Sequence, residues 1–262
     1  MRTGAGWGHL PTVAHRDPSE RSGPRGPRSG YRAVMDLVEA LRTTGAVRTF
    51  EPEPVDDAVL WRLLDTARFA PSGGNRQGWR VVVVKNPVAR RDLRDLYLSG
   101  WYEYCAMGAA GLVPWAPVTD RTQEESARAQ AGQFQAAASA NPGFAETLDT
   151  APALLLIVAD LSAMAAVDRD LPRYTFAGGA SVYPFVWSIL LAARAEGLGG
   201  VMTTMPVRRE ADVKALFSIP DTCAVAALVV LGRPVAPARR LRRQAVASFA
   251  SIDRFGGRAL GG

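Results

Sequence analysis

The residues best suited to chemistry sit in one short run, Pro71-Ser72-Gly73-Gly74-Asn75-Arg76-Gln77-Gly78-Trp79. Pro71 ends whatever helix precedes it, and Ser72-Gly73-Gly74 lets backbone approach a ligand closely. Asn75 offers an amide, which donates and accepts hydrogen bonds at once. The pyrimidine edge of a flavin makes that mixed demand. The same spacing also suits an ordinary helix-to-strand connection. The flanks fit either use. Val59, Leu60, Leu63, Leu64 and Ala67 recur at helical spacing upstream. Downstream, Val81 to Val84 run without a polar break, as in a strand buried on both faces.

Other chemistries are poorly served. The two histidines, His9 and His15, both lie near the N-terminus, which removes a Ser-His-Asp triad or a His-ligated metal from the body of the chain. Cys105 and Cys223 are far apart and lack metal spacing, which suits a reducing compartment such as the cytoplasm. The net charge of +6 invites a nucleic-acid partner, but the excess collects in Arg16 to Arg32 and Arg233 to Arg243, without aromatics for base stacking. Such basic ends solvate a surface or meet a phosphate. No apolar run is long enough to span a bilayer.

Several elements must position the loop. Residues 1–31, rich in Gly, Pro, Arg and Ser, read as a disordered basic tail; a second reading starts natural translation at Met35. Val34, Leu37, Val38 and Leu41 mark a first helix, and Asp56 is an N-cap for a second. Leu93, Leu96 and Tyr97 mark a third. From Ser99 to Thr150 the pattern loosens into an aromatic loop region with Trp101, Tyr102, Tyr104 and Trp115, then an Ala-rich helix over 123–140. Further strands are expected over 153–158, 201–203 and 224–231, with a helix over 209–217. Gly178 to Glu196 reads as one long helix, apolar all round, and therefore buried at the domain centre or at a subunit interface. The Gly197-Leu198-Gly199-Gly200 turn precedes a strand, so it is not a dinucleotide fingerprint.

Ala70-Pro71-Ser72-x-x-Asn75-x-Gln77-x-Trp79 resembles the signature loop of the nitroreductase family of FMN-dependent oxidoreductases. Val47-Arg48-Thr49-Phe50, Ala192 to Gly199 and Ser251-Ile252-Asp253-Arg254-Phe255 resemble further family segments, in the family's order from about Met35 to Phe255. The resemblance implies an α+β domain over 32–262, with a mixed central sheet flanked by helices and FMN at a homodimer interface. It implies a variable lid insertion near 99–150 that covers the flavin and shapes the substrate pocket. Electrons would pass from NADH or NADPH through flavin N5 to a nitroaromatic, quinone or similar acceptor by a ping-pong mechanism. A specialised biosynthetic flavin dehydrogenase or reductase, even one using a deazaflavin, is the alternative. So is a flavin-binding protein that has lost redox turnover.

By the same resemblance, Pro71, Ser72, Gly73, Asn75 and Gln77 face the flavin. Arg48 sits by its N1–O2 edge, Thr203 and Thr204 by N5, and Arg254 at the phosphate, reached by a tail that wraps the partner. One departure stands out. The family's phosphate turn carries two basic residues and a Ser, where this chain has Thr44-Gly45-Ala46. Losing two charge-assisted hydrogen bonds of about 1.5–3 kcal/mol each would weaken binding by a factor on the order of a hundred to ten thousand. Arg42, the Thr44 hydroxyl and backbone N–H groups are the candidates to compensate.

Overall fold

The computed structural model describes residues 35–261; the expected basic tail over 1–31 lies outside them. Among the described residues seven α-helices and four strands follow in the order α1 (Leu37–Thr43), α2 (Asp57–Ala67), β1 (Trp79–Val83), α3 (Pro87–Ala109), α4 (Arg121–Arg128), α5 (Ala131–Ala140), β2 (Ala153–Asp160), α6 (Tyr183–Ala195), β3 (Gly199–Thr203), α7 (Glu210–Phe217) and β4 (Cys223–Gly232). The strands form one sheet in the order β1-β2-β4-β3, each neighbouring pair antiparallel. The parallel component expected of a mixed sheet is confined to one bridge, Ala46 to Gly200, which lays the segment before Arg48 along the β3 edge.

Residue alternation along the sheet explains the two layers. Leu155 and Ile157 of β2 face α2 and α6, joining Leu63, Phe185, Val186 and Ile189. Leu154, Leu156 and Val158 point the other way, to Leu93 and Tyr97 of α3 and Val213 of α7. Buried on both faces, β2 and β4 read as continuous apolar runs. Removing a fully buried Leu from either layer would cost about 2–5 kcal/mol. Trp79 fixes the end of β1, its ring stacked on Phe185 at 4.7 Å and 3°.

Four expectations need correcting. Val81, Val82 and Val83 are only half-buried, because β1 is an edge strand and has neighbours on one side alone. Trp101, Tyr102 and Tyr104 are not in a loop: α3 continues through them to Ala109, because Trp101 and Tyr104 extend the face begun by Leu93 and Tyr97. The helix over 123–140 is two helices, broken between Arg128 and Ala131. The stretch from Gly178 starts as a tight turn over Ala177–Ser181, and α6 begins at Tyr183, which puts Pro184 in its first turn, where no N–H is missed. One face of α6 is buried, while Tyr183 and Trp187 remain substantially exposed. No helix of the described residues is long and apolar enough to cross a membrane.

Candidate active site

Arg48 borders a cleft of about 450 Å³. Its walls are the Thr44–Thr49 segment, the C-terminal end of α6, the Leu198–Gly200 turn and the tail from Pro234 to Arg239. Glycine makes this possible. A Cβ on Gly200 would lie 2.4 Å from the Val230 carbonyl oxygen, and one on Gly199 would lie 2.7 Å from Val47 Cγ2. With both side chains absent, the Val47 N–H donates to the Gly200 carbonyl at 2.9 Å. The tail is stitched on by Glu51 N–H to Arg233 O (2.8 Å) and Leu241 N–H to Arg42 O (2.8 Å).

Three guanidinium side chains line the cleft, Arg48, Arg194 and Arg239. Arg194 Nε is buried and has no hydrogen-bond partner. An orphaned charged donor in a cleft of this size is costly unless an acceptor fills it. Three cations and a free donor fit a phosphate-bearing ligand such as FMN. Arg194 and Arg239 bring positive charge to the cleft that Thr44-Gly45-Ala46 also lines. Of the expected compensators, the Thr44 hydroxyl donates its proton to Ala40 O at 2.8 Å. Arg42 contributes its carbonyl to the tail pairing, and its side chain does not line the cleft. Arg254 does not line it either; it sits in an exposed turn where its carbonyl accepts from the Ser251 hydroxyl. The Arg233 to Arg243 charge run was the available signal for Arg239. Nothing in the sequence singled out Arg194, because its placement depends on the end of α6 meeting the turn at Gly45.

Thr203 ends β3 within 3.4 Å of the Tyr97 phenol oxygen, and the Met205 N–H also points to the Thr203 hydroxyl at 3.4 Å. Burial pushes the Tyr97 phenol up, against the Thr203 bond and the charge of Arg48. Tyr97 thus stays protonated at neutral pH. Thr204 is exposed on the following turn.

Pro71 to Gln77 form a separate, exposed and tightly organised loop. The Ser72 hydroxyl accepts from the Gln77 N–H at 3.0 Å, and Gln77 Nε2 donates to Asn75 Oδ1 at 3.1 Å. Gly73 N–H donates to the Ser181 hydroxyl at 3.0 Å. Asn75 (φ 53°) and Gln77 (φ 51°) both adopt left-handed backbone. That strain is concentrated where a ligand edge would be read. Asp168 supports the loop from behind. Its carboxylate accepts from Thr175 Oγ1 (2.6 Å), Arg173 Nη1 (2.8 Å) and Phe176 N–H (2.9 Å), which fixes the turn carrying Ser181. These bonds, Thr175 first, hold the carboxyl far below the usual carboxylate range.

The loop and the Arg48 cleft do not meet within one chain. The loop feeds β1, one edge of the sheet; the cleft lies beside β3, the other edge. Three strand spacings separate them by roughly 14 Å across the sheet. Trp79 pairs with Ala159, which pairs with Ala224, while Gly200 pairs with Leu231. The seven-residue offset along β4 adds roughly 23 Å. A larger cavity of about 710 Å³ lies against Lys85 and Arg90, but Arg90 is spent on backbone, with Nε donating to Asp149 O at 2.7 Å.

Beyond Tyr97, aromatic rings continue along α3. Trp101 follows Tyr97 at 6.1 Å, Tyr104 stacks on Trp101 at 5.4 Å, and Trp115 follows Tyr104 at 6.3 Å. The Arg208 guanidinium lies 4.5 Å over the Trp115 ring.

Comparison with known proteins agrees with this architecture. Residues 41–233 match the model of the nitroreductase family. An NADH dehydrogenase of Thermus thermophilus is 31% identical over 202 residues, 77% of this chain and 88% of that protein. A 5,6-dimethylbenzimidazole synthase of Rhodospirillum rubrum is 28% identical over 220 residues, 82% of this chain and 88% of its own. Among solved structures, iodotyrosine deiodinase bound to FMN and 3-iodo-L-tyrosine superposes with a TM-score of 0.56 at 23% identity, covering 84% of this chain and all of that one.

Proposed function

Because this chain belongs to the nitroreductase family, we propose that it is an FMN-dependent oxidoreductase. It takes electrons from NADH or NADPH and delivers them to an organic acceptor, nitroaromatic, quinone or similar, in two alternating half-reactions. When bound, FMN would supply the hydride-accepting and hydride-donating centre, which is why the chain needs no nucleophile or metal of its own. The observation that carries this reading is the Arg48 cleft, lined by three arginines, one of which keeps a buried Nε without a partner.

The chain's own groups then have distinct tasks. Arg194 and Arg239 hold the phosphate, and Arg48 offsets negative charge on the reduced ring. Asn75 reads the ring's polar edge, in a loop whose geometry Ser72, Gln77 and Ser181 fix in advance. Thr203, held by Tyr97, orients the far side. The region from 99 to 150 shields the site from water as a lid. Since loop and cleft occupy opposite sheet edges, we assign the complete site to two chains, the loop of one meeting the cleft of the other. Tyr183 and Trp187 of α6, with Trp61 and Phe69 at or just beyond α2, expose the apolar surface such a homodimer would bury. The free cysteines suit a cytoplasmic location.

The test is the purified protein's visible spectrum and phosphate content, followed by reduction with NADH, NADPH and a deazaflavin separately. A yellow protein reduced by a nicotinamide supports the proposal. A colourless protein that takes up no added FMN refutes it. The similarity to 5,6-dimethylbenzimidazole synthase favours a second reading, a specialised biosynthetic flavin enzyme of the same fold; 5,6-dimethylbenzimidazole among the reaction products would select it. The three arginines weaken the motive for a chain that merely binds flavin, since charge missing from one turn is restored by others.

A further inference from the structure

We infer that Arg208, together with Trp101, Tyr104 and Trp115, forms a subsite for aromatic molecules that carry a carboxylate. This rests on the proposed function only for which molecule is reduced; recognition at the subsite needs no flavin.

The rings stand in one row on α3 and the segment after it, starting beside Thr203. Tyr97, Trp101 and Tyr104 share a helix face, so the row climbs about 10 Å from Tyr97 to Tyr104. That is the length of an acceptor one or two rings long. Tyr104 is 41% exposed, which leaves its ring available for stacking.

Arg208 supplies the charge. It lies on Trp115, and among the described residues its guanidinium has no carboxylate and no hydrogen bond. Its neighbour Arg209 behaves differently, pairing with Asp212 at 2.7 Å. A guanidinium resting on an aromatic ring with no carboxylate partner has N–H groups left to bind a carboxylate.

Two features show that the placement is built. Gly100 lies under Arg208: a Cβ there would sit 2.9 Å from Met205 Sδ and 3.2 Å from Arg208 Cβ, so only glycine lets the two elements close up. Trp115 adopts φ 53°, left-handed and strained for a bulky residue, and its Nε1 is buried without a partner. The strained backbone sets the indole against Arg208.

Isothermal calorimetry on the full-length protein with 4-nitrobenzoate and the neutral 4-nitrobenzamide tests the proposal. The carboxylate should bind about tenfold more tightly than the amide, the size expected of one charge-assisted contact. Arg208→Gln should erase that difference and change amide binding less than twofold. Arg208→Lys should restore part of it. Trp115→Phe keeps a ring and loses the N–H, and should weaken both ligands modestly. A wild-type protein without preference, or Arg208→Gln weakening both ligands equally, would overturn the assignment. Flavin content from visible absorbance separates the two claims. A colourless protein that still prefers the carboxylate refutes the flavin reading and keeps the subsite; a yellow protein with no preference does the reverse.

Discussion

Placing an arginine at position 45 should tighten FMN binding by about 5- to 30-fold. Gly45 lines the cleft and has ordinary backbone, so a side chain is not forbidden by φ. Its Cβ would meet Leu241 Cδ2 at 3.0 Å, the end of a movable side chain that needs to give only a few tenths of an ångström. A charge-assisted hydrogen bond contributes about 1.5–3 kcal/mol. Ordering a long side chain costs about 0.5–1.5 kcal/mol. The net is about 1–2 kcal/mol. Quenching of flavin fluorescence measures the affinities of FMN and riboflavin for wild type and Gly45→Arg. Riboflavin lacks the phosphate, so its affinity should move less than twofold. The FMN gain should shrink as salt screens the new charge. Equal tightening of both flavins, or none of either, would show that the turn does not face the phosphate.

Arg239→Gln should weaken FMN by about tenfold with riboflavin little changed, while Arg254→Gln leaves both alone; the same titration reads both variants, and a reversed order would restore Arg254 to the phosphate. Gly200→Ala should destabilise the fold by about 3 kcal/mol, since the new Cβ meets backbone that cannot rotate away; an unchanged urea midpoint would contradict the close approach. Asp168 has a folded pKa below its ordinary value of about 3.9, so its stabilisation is present above about pH 4 and fades as the pH falls further. Asp168→Asn should lower the thermal midpoint at pH 7 and flatten its decline below pH 4. If the variant keeps the wild-type acid profile, the carboxylate does not hold the Ser181 turn.

Much of the frame was legible because it depends on local pattern. β2 and β4 are buried on both faces, and such strands announce themselves as unbroken apolar runs. The loop at 71–79 was legible because Pro, Ser, Gly and Asn each carry a backbone meaning. Position within the sheet was not. Val81 to Val83 look the same whether a strand lies inside or at the edge, and only pairing decides. The extent of α3 was hidden because Trp, Tyr and Gly have modest helix propensity; packing of the aromatic face overrides it. Arg194 and Arg208 were illegible for a different reason. Each matters through what it fails to touch, and a missing partner is a property of three dimensions.

The opposite-edge placement of loop and cleft has a genetic corollary. If each site draws on two chains, a chain damaged at Arg48 and another damaged at Asn75 should rescue one another when mixed. Their hybrid has one site carrying both lesions and one carrying neither. Two inactive preparations, unfolded and refolded together, would then recover activity approaching a quarter of wild type, from the half of molecules that are hybrids and the one good site in each. Subunit exchange would thus reveal shared custody of the cofactor without any ligand-bound structure.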